Sequence, residues 1–210
     1  MIVVLVETEV TGLATEVSLE TITFARDLAA QGGGVPIDAV VIGMPGAELT
    51  AQLGAYGVRA SHAAWAAAVQ AVQKLKGAVV VTAAGTSRGN EVLAHIGARM
   101  GVAMAANVVK FGGLAPFIVT RQVVGGAALE EMQLDDRPAV FSVAGHAVEP
   151  VAAPSATSPT VHAIAVEVSP TDLVARVIST VPRPADQSGS LKTARIVVGA
   201  GRGAGGRLQE

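Results

Sequence analysis

Residues 78–90 read Ala-Val-Val-Val-Thr-Ala-Ala-Gly-Thr-Ser-Arg-Gly-Asn, and this stretch decides which fold the sequence predicts. Its first six residues form a nearly continuous apolar run, which is typical of a strand covered on both faces of a sheet. The polar loop 84–88 follows, and its Thr86 and Ser87 are residue types that cap helix N-termini. Apolar residues then share one helical face over 89–100. The stretch therefore predicts a strand, a capping loop and a helix in succession.

The same alternation of strand and helix patterns occurs upstream of this stretch. Continuous apolar runs at 2–7 and 37–43 predict two more buried strands. One-sided apolar spacing predicts helices over 17–31 and 47–55, and Ser61 is placed to cap a further helix that ends at Lys76. Strands that alternate with helices predict a mostly parallel sheet with helices on both faces.

Downstream of residue 100 the pattern changes to strands and turns. The runs 117–124 and 127–134 flank Gly125-Gly126, a pair that two-residue hairpin turns prefer. A turn at 135–138 precedes a strand at 139–143, and these three strands predict an antiparallel addition to the parallel sheet. Residues 148–160 are predicted to be an irregular connection, and 162–168 a last strand. The fold class is therefore α/β, a three-layer Rossmann-like and mostly parallel sheet with an antiparallel extension.

The amino-acid composition excludes several classes of functional site. The 210 residues are 50% hydrophobic but only 3% aromatic, carry a net charge of −2 and include no cysteine. Without cysteine there are no disulfides, thiolate nucleophiles or Cys-ligated metals. The near-neutral charge, with no basic block, argues against a nucleic-acid surface. Acidic residues near the start, and no membrane-length apolar run, predict a cytoplasmic protein without membrane insertion.

The C-terminal stretch 193–206 predicts the start of another domain. Ile196-Val197-Val198 is a short apolar strand, and Gly-Ala-Gly-Arg-Gly-Ala-Gly-Gly follows it at 199–206. Glycines in such a turn let backbone N–H groups approach phosphate oxygens. The Pro- and Ser-containing residues 182–189 are typical of a linker. We therefore predict an α/β domain over 1–189, and over 190–210 the first strand and glycine-rich turn of a doubly wound domain.

Three segments resemble the α subunit of electron transfer flavoproteins. They are the loop Gly85-Thr86-Ser87-Arg88-Gly89-Asn90 with its helix, the region of Thr120-Arg121 and Val140-Phe141-Ser142-Val143, and Ala194–Val198 with Gly201-Arg202-Gly203. The sequence departs from the family's usual residues at Asn90 (Lys), Ala94-His95 (Pro-Arg), Gln122 (Pro) and Ala144 (Arg). Together with the element order, the resemblance covers nearly the whole chain.

The resemblance implies an electron carrier with FAD as its cofactor. It implies that residues 190–210 begin the FAD domain, with Gly201, Arg202 and Gly203 next to the cofactor and Arg202 contacting a phosphate or the flavin edge. Most flavin contacts of the family come from a further part of that domain, which implies poor FAD binding by these 210 residues alone. The implied partners are a β subunit and the flavin dehydrogenases that donate electrons. Because a flavin carries the electrons, no catalytic residue is required of the chain.

Other functions have weaker support in the residues. The four histidines show no metal-binding spacing, and Glu130 and Glu131 are strand neighbours that point to opposite faces. No nucleophile elbow is present, so we predict no catalytic or metal site. Two alternatives stay open: a cofactor-free α/β binding or assembly module, and an enzyme that uses a nucleotide at Thr86-Ser87-Arg88, although helix capping is the favoured role of that loop.

Overall fold

The structure, a computed structural model, describes residues 1–63, 66–164 and 194–199. The chain divides into two units, Met1–Val168 and Ser169–Glu210. The helices of the first unit are α1 (Glu16–Gln31), α2 (Ala47–Ala55), α3 (Ala66–Lys76) and α4 (Ser87–Met100). Its strands are β1 (Ile2–Val6), β2 (Ile37–Val41), β3 (Ala60–Ala63), β4 (Val80–Ala84), β5 (Met104–Leu114), β6 (Phe117–Val123), β7 (Ala128–Gln133), β8 (Ala139–Val143) and β9 (Thr160–His162).

These strands form one sheet in the order β7-β6-β5-β8-β4-β1-β2-β3-β9. The pairs from β5 through β9 along this order are all parallel, and only β5–β6 and β6–β7 are antiparallel. The four central strands β1, β2, β4 and β8 are buried along their whole length. The predicted mostly parallel sheet with an antiparallel extension is confirmed.

Helices cover both faces of the sheet, which makes three layers. Alternate residues of β1 divide between the two cores, with Val4 in one and Val3 and Leu5 in the other. Buried residues of α1 and α2 pack in the first core, and those of α3 and α4 pack in the second. The first core also holds an aromatic cluster in which the Phe24 and Phe111 rings lie 5.2 Å apart, edge to face.

Three predicted details are wrong, and each depends on tertiary pairing. Ser61 does not cap a helix, because Ala60–Ala63 is strand β3, paired in parallel with β2. Strand β8 is not part of the antiparallel extension, since it lies between β4 and β5 and is parallel to both. The β6–β7 hairpin does not turn on two residues, because four residues, with a 3₁₀ turn at Val124–Gly126, join Val123 to Ala128.

Strand β5 was not predicted at all. Its sequence contains Asn107, Lys110 and two glycines, and its pairing with β6 and β8 shifts register three times. Each shift interrupts the two-residue alternation by which strands are recognised in sequence. The last strand begins at Thr160 rather than His162, and residues 165–168 of the predicted strand lie outside the described residues.

The irregular segment 148–160 lies across α1 and α2, and we call it the strap. Hydrogen bonds hold it in place. The Val151 N–H donates to Thr23 Oγ1 (3.1 Å), and the Thr157 hydroxyl donates to the carbonyls of Gly54 (3.2 Å) and Val58 (2.5 Å). Gly54 allows this contact, because a Cβ there would lie 2.4 Å from the Thr157 carbonyl oxygen and 2.8 Å from Pro159 Cδ.

We expect Gly54→Ala to displace the strap and lower the free energy of unfolding by about 2 kcal/mol, since the added methyl group overlaps backbone. Chemical denaturation measures this change. Gly112→Ala is the matched control, because a Cβ at Gly112 meets its nearest atom at 3.9 Å. Equal stabilities of the two variants would show that the strap does not depend on the close approach at Gly54.

In the second unit the structure describes Ala194–Gly199. The structure assigns no strand within this segment, and the side chains of Ile196, Val197 and Val198 are 56–89% exposed, so the domain start predicted over 190–210 stays a prediction. A strand requires a neighbour for its backbone hydrogen bonds, which the local sequence cannot supply. The predicted linker 182–189, the boundary at 189/190 and residues Gly201, Arg202 and Gly203 lie outside the described residues.

Among the described residues, no helix is both long and apolar enough to cross a membrane.

Candidate functional site

The carboxyl ends of the parallel strands bring several polar loops to one edge of the sheet. Glu7 follows β1, the loop Gly85-Thr86 follows β4, and Ala144-Gly145 follows β8. The Gly85 N–H donates to the Val143 carbonyl (2.6 Å), which ties the loop after β4 to the end of β8. In α/β domains this edge is where ligands and partners bind.

At the N-terminus of α4, groups of the chain itself occupy the position that a phosphate would take. Thr86 is the N-cap, and its Oγ1 accepts a hydrogen bond from the Gly89 N–H (2.9 Å). The same hydroxyl donates to the Glu7 carboxylate, and Arg88 Nη1 lies 3.9 Å from the second Glu7 oxygen. The favoured capping role of this loop is confirmed. A bound phosphate would have to displace Glu7, so the geometry does not support a nucleotide site here.

A second region of the same edge is an open cleft of about 430 Å³ beside the β6–β7 hairpin. We call it the hairpin cleft, and its lining comes from the hairpin end of β6 with the turn, the bulge of β5, and the loop after β8. The residues are Asn107, Arg121, Gln122, Val123, Val124, Gly125, Gly126, Ala144 and Gly145. Arg121 also forms an ion pair with Glu130 of β7, with Nη2 and Oε2 2.6 Å apart.

Backbone strain concentrates at the hairpin cleft. Asn107, Val124 and His146 have positive φ angles of 59°, 53° and 62°, the non-glycine residues of the described chain with this conformation. Asn107 and Val124 line the cleft, and His146 follows the lining residue Gly145. Side chains other than glycine are disfavoured in this conformation, and residues kept in it against that preference often lie at functional sites.

A hydrogen-bond chain holds the strained bulge of β5 in place. The Asn107 N–H donates to the Ser142 hydroxyl (2.9 Å), which donates to Asn90 Oδ1 on α4 (2.6 Å). Ser142 is fully buried on β8. A buried hydroxyl with both a donor and an acceptor partner fixes the backbone on either side of it. The position of Asn107 at the cleft is therefore set by β8 and α4.

The loop after β8 is anchored by a buried acid. Glu20 of α1 is 2% exposed, and its Oε2 accepts a hydrogen bond from the His146 backbone N–H (2.7 Å). Its Oε1 lies 3.2 Å from Nδ1 of the exposed His146 side chain. This contact joins α1 to the loop that forms one wall of the hairpin cleft.

The structure does not bring the neighbouring acids Glu130 and Glu131 together. Glu130 contacts Arg121, whereas Glu131 lies opposite Thr120, so the two acids do not form a carboxylate pair. In the part of the chain that the structure describes, no group of three or more His, Cys, Asp or Glu residues is placed to hold a metal ion.

Sequence reasoning missed Glu20, Asn107 and Ser142. Glu20 had a signal, because it lies on the same helical face as Phe24 and Leu28, both of which are buried. A single acid at such a core position predicts a buried partner. Asn107 and Ser142 had no comparable signal, since their roles depend on a register shift between β5 and β8.

A three-layer α/β domain with its clefts at the carboxyl ends of parallel strands is a class of domain that binds ligands and partners at that edge. The family model described as the electron transfer flavoprotein domain matches residues 2–169, well over half of the chain. The chain therefore belongs to the electron transfer flavoprotein family. A search of curated proteins found no match.

Proposed function

We propose that this chain is the α subunit of a heterodimeric electron transfer flavoprotein, which carries electrons from flavin dehydrogenases to an acceptor by way of FAD. The observation that carries the proposal is the family match over residues 2–169. The α assignment is supported by the sequence Ala194–Val198 followed by Gly201-Arg202-Gly203, which resembles the opening of the α subunit's FAD domain. In this role, residues 1–189 are the scaffold and the β-subunit interface, and the complex works in the cytoplasm.

The proposed FAD contacts are Gly201, Arg202 and Gly203 within residues 190–210. In the first unit, the N-terminus of α4 does not fit a pyrophosphate, because Thr86 caps it and the Glu7 carboxylate lies beside it. Bound FAD would supply the electron-carrying chemistry. Arg202 would pair with its phosphates or with the flavin edge, and the glycines would allow the backbone to approach them.

Native mass spectrometry of the N-terminally tagged protein from its source cells tests this proposal. We expect a complex with a second subunit and a mass increment equal to FAD. Arg202→Ala should reduce the bound flavin, whereas Arg207→Ala in the same glycine-rich segment should not. A complex in which both variants keep full flavin would contradict the Arg202 assignment.

The second candidate function is a cofactor-free binding or assembly module. The observation in its favour is that, in the described first unit, Thr86 caps α4 and the Glu7 carboxylate lies beside it, where a phosphate would otherwise bind. This candidate predicts a flavin-free protein in the same measurement. A protein isolated without flavin and without a second subunit would contradict the α-subunit proposal and support the module.

A further inference from the structure

The tip of the β6–β7 hairpin combines two unfavourable features in one residue. Val124 has a φ of 53°, and its side chain is 80% exposed. A β-branched residue is a marked outlier in the left-handed region, where asparagine or glycine is preferred. Its exposure means that burial within the subunit does not compensate for the strain. Strain and apolar exposure at the same residue therefore point to a contact made outside the subunit.

The described lining of the hairpin cleft beside Val124 is polar and positively charged. Arg121 is the only charged residue among its described lining residues, and its side chain is 27% exposed. Gln122 and Asn107 add side-chain amides, and no acid lines the cleft. The charge that complements this lining is negative, because a guanidinium binds carboxylates best.

We propose that the hairpin tip and the hairpin cleft form the docking site of an acidic polypeptide segment of the second subunit. Val124 inserts into an apolar pocket of that subunit, and an Asp or Glu side chain, or a terminal carboxylate, pairs with Arg121. The inference deepens the proposed function and rests on it, since it names where the two subunits meet.

Glu130 of the same chain already pairs with Arg121 and therefore competes with an incoming acid for the guanidinium. Its carboxylate lies 2.6 Å from Arg121 and is 49% exposed, so an incoming acid shares or replaces an existing partner. The guanidinium has five N–H donors and can pair with two carboxylates. Removal of the Glu130 charge therefore strengthens the docking, while removal of the Arg121 charge weakens it.

The first test is Val124→Asn in the full chain co-expressed with the second subunit. Asparagine is tolerated at positive φ, so the Tm of the isolated chain should rise by about 2 °C. Loss of the apolar anchor should weaken binding to the second subunit by about tenfold. The matched control is Val151→Asn, because Val151 is also an exposed valine (53%) but lies on the strap over α1 rather than at the carboxyl edge of the sheet. It should leave the subunit affinity unchanged.

The second test compares Arg121→Gln with Glu130→Gln by titration of the second subunit at low and high salt. Arg121→Gln should weaken binding by about tenfold and reduce its salt dependence. Glu130→Gln should bind at least as tightly as the original chain. A structural role of the Arg121–Glu130 pair would make the two variants equally weak, and that result would overturn the proposal.

The outcomes separate this inference from the proposed function. If the unaltered chain forms no complex with a second subunit, the α-subunit proposal fails, and the docking site fails with it. If the complex forms and Val124→Asn and Arg121→Gln bind like the unaltered chain, only the docking site is overturned. A rise in Tm together with weaker binding supports it, because a purely structural turn residue would change stability alone.

Discussion

Gly89→Ala is expected to destabilise the protein by at least about 3 kcal/mol, because the first turn of α4 packs directly on the end of β4. A Cβ at Gly89 would lie 2.0 Å from the Ala84 carbonyl oxygen and 3.3 Å from Thr86 Oγ1. Neither oxygen can move away without opening the loop after β4, because Ala84 is buried and the Thr86 hydroxyl caps α4. The alanine variant should also loosen the contact between Thr86 and Glu7, since Thr86 caps the same turn.

Chemical denaturation monitored by circular dichroism measures this effect. Gly46→Ala is the control. Gly46 is also at a helix N-terminus and has a φ of −69°, and a Cβ there would meet no atom within 4 Å. Its loss of stability should stay below about 1 kcal/mol. If Gly89→Ala were as stable as Gly46→Ala, the close packing of α4 on β4 would be contradicted.

Glu20→Ala is expected to lower the free energy of unfolding by about 3 kcal/mol, the second large effect. The substitution removes the acceptor of the His146 N–H and leaves a cavity under α1, where Glu20 is 2% exposed. An amide that loses its partner and the loss of buried packing both contribute to the penalty. Hydrogen exchange of the His146 amide should accelerate in the variant, since no carboxylate then accepts a hydrogen bond from it.

Glu20→Gln separates the hydrogen bond from the charge. The glutamine side chain has nearly the same shape and keeps an oxygen that can accept from the His146 N–H. We expect it to retain most of the stability and the slow exchange. Rapid exchange in both variants would mean that the carboxylate charge, rather than the hydrogen bond, holds the loop after β8.

The separate elements of the first unit follow closely from local sequence. The bounds of α2 agree at both ends, and α1 begins one residue before its predicted start. Thr15 and Thr86 act as N-caps, as their residue types favour. Buried strands of apolar residues are also predictable, because a strand covered on both faces has no polar side.

Two strands, β3 and β5, were not predictable from their own sequences. Ala60–Ala63 pairs with β2 although its sequence, Ala-Ser-His-Ala, shows no strand preference. Strand β5 changes register at its bulges, so its residues alternate faces irregularly. In both cases the neighbouring strand supplies the hydrogen bonds, and the local sequence carries little of that information.

Local sequence was sufficient for the α/β class, the antiparallel extension and the capping role of the Thr86 loop, because propensity, apolar period and side-chain capping act over a few residues. Tertiary structure alone set the central place of β8, the pairing of Glu20 with the His146 N–H and the hairpin cleft with its strained Val124. Those features join residues far apart in the chain, such as Glu20 and His146, and their energies come from pairing and packing between elements.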